Sequence, residues 1–456
     1  MLLKVFEVLL MLDELSEIIK KATKLLEKVS LCDRCLGRFF ASLGFALTNK
    51  TRGESIKTML CMAASALVNK GNQQEAINIL HNIARTGFKP ARDLLVKMGF
   101  EPTETILCEI CRGLLDQPLQ DLINKALELL SNYEFNSFLV GCKLPGTIIE
   151  KEDNLRSYAE IEWGESIKRE INREAGTIIT SKTGKNANFQ KPDVLIVLDF
   201  HKMNVEIKPY PIFIYGRYRK LVRGIPQSRW LCPKCRGGGC AECNWTGKRY
   251  ETSIEELVTE PIIKKFEATK AKFHGAGRED IDVRVLGSGR PFVVEIVEPR
   301  KRFIDLRELQ AEINENSQGK IEVTDLAYVD RSLIGMLKLS AKIKKKTYRA
   351  LVEAEEPLSE EKLKALAKYF NGLTIKQRTP TRVLHRRADR MRLKKVYEVK
   401  ITGLKDKTFE AIIRCQGGLY VKELIHGDNG RTTPSFQEFL GVPLKVLELD
   451  VIDVES

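Results

Sequence analysis

Eight of the eleven cysteines in this 456-residue chain fall into four C-x-x-C pairs, and no other feature limits the fold as much. A C-x-x-C turn offers two thiolates to one point, and two such turns complete the tetrahedron that zinc prefers. Cys232-Pro-Lys-Cys235 and Cys240-Ala-Glu-Cys243 are separated by Arg236-Gly-Gly-Gly239, whose glycines let the backbone fold over a metal. Cys32, Cys35, Cys108 and Cys111 form a second candidate set, two knuckles flanking a helical insert. Both sets are closed four-sulfur sites, which suits structural rather than catalytic zinc. A redox pair lacks its thioredoxin-like context. A disulfide framework belongs to small secreted domains, not to a long chain rich in lysine and glutamate. The apolar start MLLKVFEVLLML is interrupted by Glu7 and has no small-residue cleavage site, so it does not read as an export signal. The expected compartment is a reducing cytoplasm, and the single Cys61, Cys142 and Cys415 read as small buried hydrophobes.

Charge is the second constraint. Lys and Arg number 75 against 61 Asp and Glu, a formal net charge of +14, which favours a polyanionic partner, nucleic acid first. No stretch reaches ~18 uninterrupted apolar residues, so no membrane span is expected. The length suggests about three domains at ~150 residues each.

The fold class read from the pattern is α+β and multidomain. Residues 1–104 read as a helical N-terminal region carrying the first knuckle and a helical insert around residues 62–98, with Gly71 and Gly87 as breaks. Residues 105–212 read as a compact α/β module with the second knuckle, a helix over 118–131 and strands over 135–140 and 193–200. Residues 213–251 read as a basic connector bearing the four-cysteine loop. Residues 252–456 mix strands (282–286, 292–296, 396–402, 408–415) with helices (306–314, 359–370).

The densest chemical signal is His274-Gly-Ala-Gly-Arg-Glu-Asp-Ile-Asp-Val-Arg284, small residues followed by crowded Arg278, Asp280, Asp282 and Arg284. Such a cluster at a loop-strand junction suits a positioned carboxylate, although spacing alone favours a solvated turn with surface ion pairs. Two electropositive stretches accompany it. Arg217, Arg219, Lys220, Arg223 and Arg229 crowd Tyr215, Tyr218 and Trp230, and Arg378, Arg382, Arg386, Arg387, Arg390, Arg392, Lys394 and Lys395 form the other. Interleaved cations and aromatic planes suit RNA, which they hold by phosphate contacts and base stacking.

These residues carry a resemblance. Gly277-Arg278-Glu279-Asp280 is similar to the G-R-x-D motif of pseudouridine synthases, Lys346-Thr347-Tyr348 to their K-x-Y motif, and Cys415-Gln-Gly-Gly-Leu-Tyr-Val-Lys-Glu-Leu424 to their C-x-x-G-x-Y-[IV]-[RK]-x-L motif. The segment from Gly216 to Gln227, the cysteine loop, Cys32-Asp-Arg-Cys35-Leu-Gly-Arg-Phe39, Gln377-Arg-Thr-Pro380 and Gly430-Arg-Thr-Thr-Pro-Ser435 resemble, more narrowly, the archaeal THUMP-containing tRNA pseudouridine synthases acting at positions 54 and 55. The likeness covers nearly the whole chain, least well around residues 62–98. It implies a THUMP-like RNA-binding module and a C-terminal mixed-sheet catalytic domain.

The resemblance further implies that Asp280 is catalytic, Lys422 its cationic partner, and Tyr348 the plane beneath a flipped uridine, with Arg278 and Tyr420 at the substrate. Arg217, Arg219, Lys220, Arg386 and Arg387 are expected at RNA. Asp282, two residues on, competes with Asp280, which holds the motif position. The implied reaction breaks the uridine N1–C1′ bond, rotates the uracil and rejoins it through C5, with structural zinc and no organic cofactor. The expected partner is the tRNA T-arm, and no obligate protein partner is inferred. The alternatives are a zinc-stabilised tRNA-binding protein without catalysis, or another THUMP-containing tRNA-modifying enzyme. For the latter, Gly287-Ser-Gly289 is a poor match to a methyltransferase nucleoside loop, and the phosphate loop of a thiolation enzyme is not found.

Overall fold

The computed structural model describes residues 2–455, and the side chains of residues 2–14, 342 and 386 lie outside that description, so Arg386 is placed by its backbone alone. The chain divides into two compact units, Met1–Pro209 and Tyr210–Ser456.

The first unit runs α1 (Leu2–Lys28), α2 (Asp33–Phe39), α3 (Asn49–Asn69), α4 (Gln73–Ala84), α5 (Lys89–Lys97), α6 (Gln117–Leu130), β1 (Ser137–Lys143), α7 (Gly146–Tyr158), α8 (Ile167–Thr183), β2 (Asn186–Ala187), β3 (Val194–Asp199) and β4 (Asn204–Pro209). Helix starts follow from the sequence: Thr48 and Ser166 each accept a backbone N–H three residues on, satisfying a donor the first helical turn leaves open. Gly71 and Gly87 lie between helices with positive φ, as the expected breaks. α7 was not expected. Its buried residues are Ile148, Glu152 and Leu155, too few to write an apolar stripe. The strands form a sheet in the order β2-β1-β3-β4, parallel at β1/β2 and β1/β3 and antiparallel at β3/β4. One hydrophobic core runs from Ala22 through Leu119 and Ile167 to Val205, joining the N-terminal helices to this sheet.

The second unit runs β5 (Ile212–Lys220), α9 (Ile254–Lys265), β6 (Lys270–Gly275), β7 (Val283–Val297), α10 (Leu306–Asn316), β8 (Ile321–Val329), α11 (Ser332–Ile343), β9 (Lys345–Ala354), α12 (Glu360–Phe370), β10 (Thr374–Arg378), β11 (Met391–Lys405), β12 (Thr408–Gln416), α13 (Val421–His426), β13 (Thr432–Thr433), α14 (Phe436–Leu440) and β14 (Leu444–Val454). Short 3₁₀ turns occupy Ala241–Cys243 and Thr381–Arg386. The ten-stranded mixed sheet has the order β13-β10-β11-β12-β9-β14-β7-β5-β8, with β6 also on β7.

Two sequence expectations change here. Residues 213–220, read as the start of a connector, belong to a strand inside the sheet, β5, hydrogen-bonded to β7 on one side and β8 on the other. Both faces of that strand are largely covered, which is why Arg217 and Lys220 do not mark a surface. The strands expected at 282–286 and 292–296 are one strand, β7, bent through Gly287 and Gly289 at positive φ. A Cβ on Gly287 would sit 1.9 Å from the Ile452 carbonyl oxygen, so glycine is what permits the approach of β14.

Candidate active site and cysteine centres

The Gly277–Asp280 loop joins β6 to β7, and a buried polar frame holds it. Arg290, inside the otherwise apolar middle of β7, is fully buried and ion-pairs with buried Glu279 at 2.9 Å. The Tyr218 hydroxyl donates to Glu279 at 2.9 Å, Gln227 Nε2 donates to the Tyr218 hydroxyl at 2.8 Å and to the Gly277 carbonyl at 2.9 Å, and Arg290 Nη1 donates to the Ala276 carbonyl at 2.9 Å. Lys220 Nζ donates to the Ile281 carbonyl at 2.7 Å from within the sheet, and burial pulls its ammonium down to about 8. These contacts fix the loop from below, with Arg290 Nε held against Glu279 by the ion pair rather than by a hydrogen bond.

The next residue, Asp280, enters a cleft that it shares with Arg278, Tyr348, Arg382, Tyr420 and Lys422, floored by Val283, Leu419 and Val451. Its Oδ1 receives Arg382 Nη1 at 2.8 Å, while Arg382 Nε donates to Glu423 Oε1 at 2.6 Å. Glu423, on α13, is buried. The arginine is thus held by one carboxylate while it holds another. Tyr348 lies on β9 in the same cleft, where burial pushes its hydroxyl well above the usual phenol value.

The expected pairing of Lys422 with Asp280 is not the one found. Lys422 Nζ lies 2.6 Å from Asp282 Oδ2, at the more exposed rim of the cleft. Burial raises Asp282, but the Lys422 contact more than offsets it and leaves the carboxylate below its ordinary value. Asp280 and Asp282 do not share a strand face, because residues 280–282 form a turn and β7 begins at Val283. Arg278 is exposed, its guanidinium 5.5 Å from the Trp230 ring, and Arg387 is exposed nearby. Two residues expected at RNA are instead internal. Arg217 is buried and donates to the Ser288, Gly289 and Val454 carbonyls, and Lys220 is buried as above, because β5 is largely covered on both faces. Arg219 points outward but is paired with Glu322 at 2.5 Å.

Arg382, Glu279, Arg290 and Glu423 were not singled out in the cleft from sequence. The available signal was a charge where the pattern demands an apolar residue: Arg290 before Pro291–Val294, and Glu423 between Val421 and Leu424.

Each cysteine set converges. All ligand atoms of Cys32, Cys35, Cys108 and Cys111 lie within 4.8 Å of one another, as do those of Cys232, Cys235, Cys240 and Cys243. Tetrahedral zinc with sulfur at ~2.3 Å requires sulfurs about 3.8 Å apart. The pairs Cys32–Cys111 at 3.7 Å, Cys235–Cys243 at 3.8 Å and Cys232–Cys240 at 3.9 Å meet that spacing. Backbone amides of Cys240 and Gly247 donate to Cys243 Sγ at 3.3 and 3.2 Å, as a thiolate requires. Both sets could hold zinc. Cys61 and Cys415 are buried, and burial pushes Cys415 up to about 12.

Comparison with known proteins adds to this geometry. The family model of the Pus10 C-terminal domain matches residues 213–455, and that of the archaeal Pus10 THUMP domain matches residues 122–199. The chain is 47% identical over 432 residues to the tRNA pseudouridine synthase Pus10 of Thermofilum pendens, covering 95% of this chain and 94% of that one. It is 43% identical to the namesake of Methanothrix thermoacetophila, covering 96% and 95%, and 43% identical to that of Methanocaldococcus jannaschii, covering 95% and 94%. The chain belongs to the Pus10 family of tRNA pseudouridine synthases. It is an isomerase that converts uridine to pseudouridine. The Pus10 membership bears out the expected architecture, a THUMP domain followed by a pseudouridine synthase domain of mixed sheet. Among the described residues no helix is long and apolar enough to cross a membrane.

Proposed function

We propose that this chain makes pseudouridine in the T-arm of tRNA, at position 54, position 55 or both, with Asp280 as the catalytic carboxylate. The observation that carries the reading is the Asp280–Arg382–Glu423 chain beside Tyr348 in one cleft. A carboxylate paired with a guanidinium is held in one orientation, as nucleophilic attack on a uridine requires. The target base must leave its stack to reach it. Tyr348 offers the supporting plane. Its hydroxyl stays protonated at neutral pH, which suits stacking and hydrogen-bond donation better than proton acceptance. Arg278 and Tyr420 line the same cleft and contact the substrate nucleotide, and Lys422 supplies a second cation at its rim. Arg387 belongs to the RNA face.

In this reading the chain is divided by role. Residues 1–104 and 105–212 form the helical and THUMP-like RNA-binding parts, residues 213–251 carry the second cysteine loop, and residues 252–456 carry the chemistry. Both cysteine sets hold structural zinc, which would cross-link the segments that bear them and take no part in the isomerisation. No organic cofactor enters. The enzyme works in the cytoplasm on tRNA. The test is to incubate the purified chain with unmodified tRNA and map pseudouridine by position. Modification at 54 or 55 is expected, and modification confined to other positions, or none, overturns the reading.

A further inference from the structure

Beside the catalytic cleft lies a second depression whose lining includes Arg278, Lys338, Lys346, Arg387, Arg392 and Lys394, with no carboxylate. It shares Arg278, Tyr348, Leu419 and Tyr420 with the cleft that holds Asp280. Lys346 forms its floor. This lysine is 5% exposed, yet among the described residues its Nζ has no hydrogen-bond or ion-pair partner. Arg290 and Lys394 stand near, Glu279 offsets them only in part, and burial together with Arg290 pulls the ammonium down to about 7. A buried amine with so little counter-charge holds its proton weakly, and an anion placed against it would restore the charge and complete its hydrogen bonding.

The backbone shows how the ammonium is kept open to the depression. Lys346 and Tyr348 are two residues apart on β9 and share a face, so the same strand aims the lysine and the tyrosine. Across the sheet Lys346 is registered with Cys415 on β12, and Cys415 with Val396 on β11, so Arg392 and Lys394 of β11 approach from the side. Above it passes the motif loop. A Cβ on Gly277 would come within 3.0 Å of Lys346 Nζ, so the glycine of G-R-x-D leaves the ammonium its space.

We propose that Lys346 binds a phosphodiester oxygen adjoining the target uridine, and so seats the backbone of the flipped nucleotide while its base occupies the Asp280 cleft. The proposal rests on the tRNA reading above and deepens it. A phosphate is the anion that RNA supplies at such a spot, and a lysine contacts it as a point charge. The exposed cations of the rim give general attraction. Lys346 differs because it is buried, and its contact therefore depends on one phosphate in one place.

The test is a two-by-two comparison of wild type and Lys346→Met on tRNA carrying either natural phosphates or one neutral methylphosphonate beside the target uridine. With natural tRNA, Lys346→Met is expected to lower kcat/KM about 10- to 100-fold, the worth of one charge-assisted hydrogen bond. The methylphosphonate on the contacted phosphate should cost the wild type a similar factor and cost Lys346→Met little more. Equal, multiplicative penalties in both proteins would overturn the proposal. Should Lys346→Met not fold, a methylphosphonate scan over the phosphates within two nucleotides of the target, using wild type alone, replaces it. One sharply sensitive position is expected, and uniform small losses overturn it. If wild type makes no pseudouridine at all, the functional reading fails by itself, and tRNA affinity of both proteins across the same substrates still reports the phosphate contact.

Discussion

At the scale of single residues, the cleft separates two aspartates by their partners. Asp280 is tied to an arginine that a buried glutamate anchors, whereas Asp282 is tied to a lysine at the rim. Asp280→Asn is therefore expected to abolish pseudouridine formation, by about a thousand-fold or more, with melting temperature and tRNA affinity near wild type. Asp282→Asn should lose far less, and the reverse ranking in single-turnover assays would transfer the catalytic role. Arg382→Leu should cost about a hundred-fold in kcat with a smaller change in KM, because it loosens the carboxylate rather than the substrate. Asp450 makes a different prediction. It is buried on β14 and faces Arg284 at 2.8 Å, Arg223 at 2.7 Å and Arg349 at 3.3 Å. Burial raises its pKa, but Arg284 and Arg223 more than offset that, so the folded value lies below 3.8. A depressed carboxylate stabilises fully above the unfolded pKa, and that contribution fades as pH falls below about 4 through the folded value. Asp450→Asn should cost about 2 to 3 kcal/mol at pH 7, less than a wholly buried pair because the arginines reach water. The deficit should shrink in urea titrations below pH 4, and a deficit independent of pH would contradict this account.

At the scale of elements, the first cysteine set depends on how closely two helices cross. α2 begins between Cys32 and Cys35 and packs on α3 through Gly37 and Gly53. A Cβ on Gly37 would lie 1.8 Å from the Asn49 carbonyl oxygen, and one on Gly53 1.9 Å from that of Asp33. These neighbours are backbone and cannot turn aside. Gly37→Ala is expected to cost about 3 kcal/mol and to lower metal bound per chain, because separating the helices moves Cys32 and Cys35 away from Cys108 and Cys111. Gly176 on α8 provides the contrast: nothing lies within 4 Å of its added Cβ. Gly176→Ala should stabilise by about 0.5 to 1 kcal/mol, and thermal unfolding reads both signs. The same contrast explains what could be read from sequence. The C-x-x-C turns, the apolar period of α6 and the motif residues Asp280, Tyr348 and Tyr420 announce themselves locally. Arg217 and Lys220 on β5 do not, since a charge looks solvated until the strand on each side is known. Nor does Arg382, whose contacts with Asp280 and Glu423 span 102 and 41 residues of sequence.

At the scale of the whole molecule, the net charge of +14 does not say which cations RNA can meet. Arg217, Lys220 and Arg290 spend their charge inside the second unit, and Arg38 does so inside the first, against Glu152 and Glu170. The depression around Lys346 gathers six cations in its lining: Arg278, Lys338, Lys346, Arg387, Arg392 and Lys394. Each phosphate neutralised on single-stranded or duplex RNA contributes a slope of roughly −0.7 to −0.9 to log K against log salt. Six contacts there give a slope of about −4 to −5 before any contribution from the THUMP domain. Titrating tRNA affinity of the intact protein between low and physiological salt measures it. A slope shallower than about −2 would mean that the basic depression does not face the RNA backbone. Lys346→Met should reduce the slope by roughly one, because it removes one cation, while leaving the rim cations to steer the approach of tRNA as before.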